Sequence, residues 1–153
     1  MNKEWIKGDY YIVYFRVTIA TWSFNSSILQ YLKKGELELL NTGTYTLGKQ
    51  IIEALNKKKV IKVDLLDVSP ITPLAELFII AIASNIRQTK AMADEVEERL
   101  SKQNRLPIHK EGYQSANWIL LDYGDIIVHI LDEEHAQFYG LTRLWQDAIS
   151  LEI

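Results

Sequence analysis

Two apolar runs separated by a short polar break dominate the last third of the chain. Residues 118–131 read WILLDYGDIIVHIL, and the break is Asp122-Tyr123-Gly124-Asp125. A glycine inside such a break between β-forming residues is typical of a tight hairpin. With Tyr123-Gly124 as a two-residue loop, Asp122 faces Asp125 and Trp118 faces His129. We therefore predict that a β-hairpin forms the centre of the fold.

The two faces of this hairpin differ in chemistry, because side chains alternate between faces along a strand. One face is apolar apart from a phenol and carries Ile119, Leu121, Tyr123, Ile126, Val128 and Ile130. The other face carries Trp118, Leu120, Asp122, Asp125, Ile127, His129 and Leu131. We predict that the first face is core and that the second is a working surface. The alternative is that a helix covers the second face, with Trp118 as core filler and His129 satisfied beside it.

Upstream of the hairpin, regular helix and strand signals begin at residue 46. Apolar spacing predicts a helix from a cap at Thr44 or Thr46 to about Asn56, and a second from a cap at Ser84 or Asn85 to about Gln103. Strands are predicted at residues 60–68 and 77–83, joined by a loop with two prolines, and at residues 107–110. After the hairpin, a short helix reaches Tyr139, and Leu141, Leu144 and Trp145 form one more helical turn. This alternation predicts a single α/β domain over residues 46–153, with a mixed sheet and helices on its faces.

The first 45 residues are less regular. Residues 10–22, YYIVYFRVTIATW, suggest a strand by composition, although polar and apolar positions do not alternate throughout. Arg16 interrupts an apolar run already shorter than the roughly 20 residues that span a bilayer, and Glu4 and Asp9 are atypical of a targeting peptide. We expect residues 1–45 to be an N-terminal extension. It is either the product of a start site placed too far upstream or a strand or hairpin that packs on the domain.

Charge distribution indicates what kind of partner the chain prefers. The 17 basic and 20 acidic residues argue against a protein that grips nucleic acid phosphates by itself. From residue 121 to the end, seven carboxylates stand against a single basic side chain, that of Arg143. A basic partner is therefore favoured at this end of the chain.

Motifs for catalysis or metal binding are missing from the sequence. The three histidines, His109, His129 and His135, do not form HExxH, and the seven glycines do not form a phosphate-binding loop. Asp122 and Asp125 flank a turn, where acids are explained by turn chemistry. We predict no catalytic residue, no metal and no cofactor.

Two longer stretches carry a family resemblance. The run ANWILLDYGDIIVHIL, followed by DEEHAQFYGLTRLW, resembles the ribosomal silencing factor family, also called Iojap-like proteins. The likeness continues upstream through VDLLDVSPITPLAELFIIAIASNIRQTKAMADEVEERL and covers about residues 46–149. The chain departs from the family at Ala75-Glu76, where relatives usually have Thr-Asp, and at Ile82-Ala83, where they usually have Ser-Gly. Arg87 matches a family arginine, and we expect Glu76 or Asp67 as its partner.

This resemblance implies a fold and a non-enzymatic function. The family's fold is often likened to that of nucleotidyltransferases. Its members bind the large ribosomal subunit at the fourteenth large-subunit protein and block joining of the small subunit, which lowers translation during starvation. A role in large-subunit maturation is the organellar variant. For this chain the resemblance implies a cytoplasmic location, no membrane and no direct nucleic-acid specificity.

The same resemblance suggests which residues meet the partner. Trp118 stands in the ANW context of the family's exposed tryptophan and is the predicted anchor. Its predicted neighbours are Leu120, Asp122, Asp125, Ile127 and His129, with Tyr139 and Arg143 extending the patch. Trp145 belongs either to this patch or to the core. Two alternatives stay open: a nucleotidyltransferase-like enzyme on the same fold, and a homodimer joined through the hairpin face.

Overall fold

The computed structural model describes residues 42–152 and contains one six-stranded sheet. The elements in chain order are α1 (Thr42–Lys57), β1 (Lys62–Asp67), β2 (Leu77–Ala83), α2 (Ile86–Ser101), β3 (His109–Glu111), β4 (Trp118–Asp122), β5 (Ile126–Asp132), α3 (Glu133–Tyr139), α4 (Leu141–Leu144) and β6 (Ile149–Leu151). The strand order is β3-β4-β5-β2-β1-β6. Only the pairing of β2 with β5 is parallel, so the predicted mixed α/β sheet is confirmed. The nucleotidyltransferase-like topology stays a prediction.

The start of α1 differs from the sequence prediction. The helix begins at Thr42, so Thr44 and Thr46 lie inside it and neither is its cap. The predicted extension over residues 1–45 falls outside the described residues except for its last four, which belong to α1. The strand predicted at residues 10–22 also falls outside the described residues.

One face of the sheet is covered by α1 and α2. The apolar stripe of α1, which includes Ile51 and Leu55, is buried. The stripe of α2 is buried as well and comprises Thr89, Met92, Ala93, Val96 and Leu100. The buried Thr89 hydroxyl lies 2.6 Å from the carbonyl oxygen of Ala116, which ties α2 to the loop before β4. Asn85 caps α2 by accepting hydrogen bonds from two backbone N–H groups, as predicted.

The β4–β5 hairpin forms, but its turn is one residue further along than predicted. The Tyr123 N–H donates to the Ile126 carbonyl at 2.9 Å, which leaves Gly124 and Asp125 as the two-residue loop. Trp118 therefore pairs with Leu131, and the predicted pairing with His129 is wrong. Tyr123 stays in the strand pairing because its ring is buried in the apolar cluster between the sheet and the helices α1 and α2. Gly124 supplies the positive φ, 87°, that the turn needs. Moving the turn by one residue moves the cross-strand partner of each residue by two positions. Because side chains alternate between faces with a period of two, each residue stays on its predicted face.

The second face of the sheet is covered too. The segment from α3 to α4 folds back over it, with Leu141 and Trp145 buried at 3% exposure each. A second apolar cluster results, in which Phe78, Trp118 and Leu131 pack beneath this cover. The expectation that this face is an open working surface is therefore wrong, and the alternative of a helical cover is correct. The alternation of side chains defines two faces, whereas what lies over each face depends on the path of residues far along the chain.

Two further differences from the sequence prediction concern the strand β6 and the partners of Arg87. β6 pairs antiparallel with β1 and was missed, because a strand of three residues leaves no readable alternation. The expected partners of Arg87 are wrong: among the described residues, no ion pair joins it to Asp67 or Glu76. Asp67 ends β1 opposite Leu77, the first residue of β2, and Glu76 directly precedes β2. Arg87 follows the other end of β2, so the length of this strand separates it from both carboxylates.

Gly112 offers a test of the packing between β3 and β4. A Cβ atom at Gly112 would lie 1.9 Å from the backbone oxygen of Trp118, and its φ is +73°. We expect Gly112→Ala to lower the free energy of unfolding by about 2–4 kcal/mol, measured by urea denaturation. Gly140→Ala is the matched control, because its φ is +56° and nothing lies within 4 Å of the added atom. That control should cost about 1 kcal/mol, and equal losses in the two variants would contradict the packing argument.

Candidate partner-binding surface

Trp118, the predicted anchor, lies inside the protein. Its side chain is 5% exposed, and its ring centroid is 5.0 Å from that of Tyr139 on α3. The indole Nε1–H donates to Nδ1 of His129 at 3.3 Å. The expectation that Trp118 is exposed is therefore wrong. A tryptophan with this burial and this hydrogen bond contributes to folding stability before it contributes to any contact with a partner.

The structure divides the other predicted residues into a buried and an exposed group. Leu120, Asp122, Ile127 and His129 are buried at 6%, 3%, 2% and 1% exposure. Tyr139 is half-buried over Trp118, while Asp125 and Arg143 are exposed. Asp125 lies at the turn of the hairpin, and α3 begins at the opposite end of β5, so the exposed acid and the aromatic residues do not form one patch. The role of these seven residues and of Trp118 in partner binding stays a prediction, whereas the expected accessibility of the four buried here, as of Trp118, is wrong.

His129 sits in a fully buried aromatic environment. Its ring meets Phe78 edge-on with centroids 5.1 Å apart, and burial lowers its pKa from 6.5 to about 4. Because Nδ1 accepts the indole proton of Trp118, Nε2 carries the proton of the neutral ring. Within residues 42–152, Nε2 finds no hydrogen-bond acceptor. His129 is therefore a neutral core residue at physiological pH.

Two large apolar side chains reach solvent on the outer side of the α3–α4 cover. Phe138 is 79% exposed and Leu144 is 42% exposed. The Phe138 ring meets Tyr139 edge-on, with centroids 5.0 Å apart. Sequence reasoning missed Phe138, yet a signal existed. Asp132 and Gly140 fix a seven-residue helix, and two adjacent aromatics on such a helix cannot both face the sheet.

The seven carboxylates near the C-terminus divide between structure and surface. Asp132 caps α3 by accepting from the His135 backbone N–H at 2.8 Å. Asp122 accepts from the Gly124 backbone N–H at 2.8 Å and shapes the turn. The remaining five are surface residues: Asp125, Glu133, Glu134, Asp147 and Glu152. The acidic character predicted for this end of the chain is thus present at the surface, with Arg143 as its only basic side chain.

A small cavity beside the hairpin turn is chemically unsuited to a nucleotide. Its volume is about 290 Å³, and the polar side chains that line it are Ser69, Thr72, Glu76 and Asp125. Two carboxylates without a basic side chain repel phosphate groups. In the part of the chain that the structure describes, no group of three or more histidines and carboxylates could hold a metal ion, and no helix is long and apolar enough to cross a membrane. The absence of a metal and a cofactor stays a prediction.

A mixed sheet covered on both faces, with exposed carboxylates and an exposed aromatic side chain near the C-terminus, defines a small α/β protein. The family model described as "Ribosomal silencing factor during starvation" matches residues 43–153. A protein named Ribosomal silencing factor RsfS from Halalkalibacterium halodurans is 31% identical over 102 residues, or 67% of this chain and 87% of that relative. The protein of the same name from Chromobacterium violaceum is 33% identical over 99 residues, or 65% of this chain and 81% of that relative.

Solved structures agree with these matches. A crystal structure of a Chromobacterium violaceum protein has a TM-score of 0.65 at 32% identity and covers 67% of this chain and 85% of that chain. A crystal structure from Bacillus halodurans has a TM-score of 0.64 at 28% identity and covers 71% of this chain and 99% of that chain. The chain belongs to the ribosomal silencing factor family, and the predicted resemblance is confirmed.

The burial of Trp118 predicts a loss of stability when its side chain is truncated. We expect Trp118→Ala to lower the free energy of unfolding by about 3–5 kcal/mol, because a large ring is removed from the second core. Trp118→Phe keeps most of the ring volume and loses the hydrogen bond to His129, so it should cost less. Urea denaturation of both variants measures the difference. A Trp118→Ala protein that unfolds at the wild-type urea concentration would show that Trp118 is not core.

The lowered pKa of His129 predicts a pH dependence of stability. The unfolded chain binds a proton near pH 6.5 and the folded chain only near pH 4, so stability is full above pH 6.5 and falls as the pH drops toward 4. We expect the free energy of unfolding to be about 2 kcal/mol lower at pH 5 than at pH 7. His129→Leu should lose this slope, whereas His109→Asn, at an exposed position, should keep it. An unchanged slope in His129→Leu would assign the effect to other groups.

Proposed function

We propose that this protein is a ribosomal silencing factor that binds the large ribosomal subunit at its fourteenth protein and blocks joining of the small subunit. The observation that carries the proposal is the family match over residues 43–153, which includes the whole described fold. Residues 46–153 would form the silencing domain, with residues 1–45 as an extension. The family description names a ribosomal silencing factor during starvation, and the function that we propose from it is repression of translation.

The surface chemistry supports a protein partner on the ribosome. Proteins that lie on ribosomal RNA carry excess Lys and Arg, and an acidic surface attracts them while it repels the RNA phosphates. The five surface carboxylates near the C-terminus supply such a surface. Complementary charge of this kind speeds encounter and selects the partner more than it adds affinity.

Steric blocking requires no chemical reaction by the factor. A protein that occupies the face where two subunits meet prevents their joining by its volume alone, without a catalytic group, metal or cofactor. This agrees with an arrangement in which His129 is buried and neutral and Asp122 and Asp132 serve as a turn acceptor and a helix cap. We therefore propose a non-enzymatic factor that acts in the cytoplasm, where the subunits join.

The proposal predicts three results with purified components. The full chain should co-sediment with isolated large subunits and not with small subunits, and it should lower the fraction of joined ribosomes in a sucrose gradient. Raising the salt concentration should weaken the interaction, because charge attraction between exposed groups is screened. Failure to co-sediment at low salt would contradict the proposed function. Binding that leaves subunit joining unchanged would contradict the blocking mechanism alone.

A further inference from the structure

Phe138 buries little of its side chain when the protein folds. It is the most exposed of the large hydrophobic side chains that the structure describes, at 79%. The short helix α3 is held by other contacts: its cap Asp132, the hydrogen bond of 3.0 Å from the Gly140 N–H to the Ala136 carbonyl, and the packing of Tyr139 on Trp118. A phenylalanine that leaves most of its side chain in solvent, on a helix held by these other contacts, suits an interface with another molecule.

The helix of Phe138 also carries acidic side chains. Glu134 precedes Phe138 by four residues and therefore lies on the same side of the helix. Glu133, the residue before Glu134, is exposed as well, and both glutamates are without an ion pair among the residues that the structure describes. On the adjacent helix α4, Leu144 is also exposed, at 42%. The surface formed by Glu133, Glu134, Phe138 and Leu144, called here the α3 outer face, thus combines apolar area with negative charge.

We propose that the α3 outer face is the docking surface for a basic protein segment of the large ribosomal subunit, with Phe138 as its anchor. This inference rests on the proposed function and deepens it by naming the surface and the chemistry of the segment. An aliphatic side chain of the segment covers the Phe138 ring, while a neighbouring Lys or Arg pairs with Glu134. Aromatic anchors ringed by polar contacts are the usual arrangement of interface hot spots.

Charge decides among the molecules that could occupy this surface. The two unpaired glutamates outnumber the one exposed basic side chain nearby, that of Arg143 on α4, so the surface is net negative and repels RNA phosphates and anionic lipid headgroups. A second copy of the chain, joined through a two-fold axis, would bring two identical acidic patches together. A basic protein segment is the one partner whose charge complements the surface and whose aliphatic side chains also cover Phe138.

Aromatic contacts inside the protein hold Phe138 in position. Phe138 packs edge-on against Tyr139, and Tyr139 lies over Trp118 in the second core. A docking surface whose anchor is held in place before binding loses less conformational entropy when the partner arrives. Trp118 therefore acts as a positioning residue for this surface, although it does not touch the partner.

The test compares Phe138→Ala with Leu106→Ala in the full chain. Leu106 is a suitable control because it is 70% exposed and precedes β3, at the end of β4 remote from α3. Co-sedimentation with large subunits should show that Phe138→Ala weakens binding by at least about tenfold and that Leu106→Ala leaves it unchanged. Both variants should unfold at the wild-type urea concentration, because each side chain is already exposed.

A charge variant tests the role of the acidic side chains of this surface. Glu134→Gln should weaken binding about two- to five-fold at low salt and reduce the dependence on salt. Glu98→Gln on α2, which also removes an exposed acid, is the matched control and should bind as wild type.

The outcomes separate this inference from the proposed function. If the wild-type chain sediments with large subunits and Phe138→Ala binds equally well, the docking surface is wrong and the proposed function stands. If both Phe138→Ala and Leu106→Ala bind weakly, the apolar surface acts non-specifically, and the inference fails as well. If the wild-type chain does not sediment, the proposed function fails and the inference falls with it.

Discussion

The parallel pairing of β2 with β5 is the contact on which the rest of the structure depends. It joins the β1–β2 pair to the β4–β5 hairpin, so it makes one sheet from two antiparallel halves. Parallel strands of this kind are stable when both faces are covered. The residues of β2 and β5 meet this condition, since all seven of β5 and six of seven in β2 are buried. Both apolar clusters of the protein form against these two strands.

Covering both faces has a consequence for the site. Trp118 and His129 lie under α3 and α4, so a family-based expectation about an exposed tryptophan does not carry over to this chain as a statement about accessibility. The aromatic contacts continue outward from Trp118 through Tyr139 to Phe138. The side chain available to a partner is therefore at the outer end of this series, and the buried tryptophan supports it from below.

Much of the fold could be predicted from local patterns. The stripes of α1 and α2, the apolar run of β2, the polar break of the hairpin and the cap-to-glycine span of α3 are each encoded within a few turns or a few residues. The prediction failed where a short stretch carries too little pattern or where distant residues compete. β6 is too short to show alternation, and the turn moved by one residue because burial of Tyr123 kept it in the strand. The partners expected for Arg87 were wrong because the length of β2 separates Arg87 from Asp67 and Glu76.

The candidate site shows the same contrast between what local sequence patterns predict and what distant residues decide. The sequence by itself determined the two faces of the hairpin, the acidic C-terminal third and the family, because these depend on alternation, composition and the order of residues. Only the tertiary structure decided that the Trp118 face is covered, that Asp122 and Asp132 are engaged in a turn and a cap, and that Phe138 faces solvent. Alternation defines the two sides of a strand but not the element that packs on either side. That element is selected by the free energy of burying apolar surface between segments far apart in the chain.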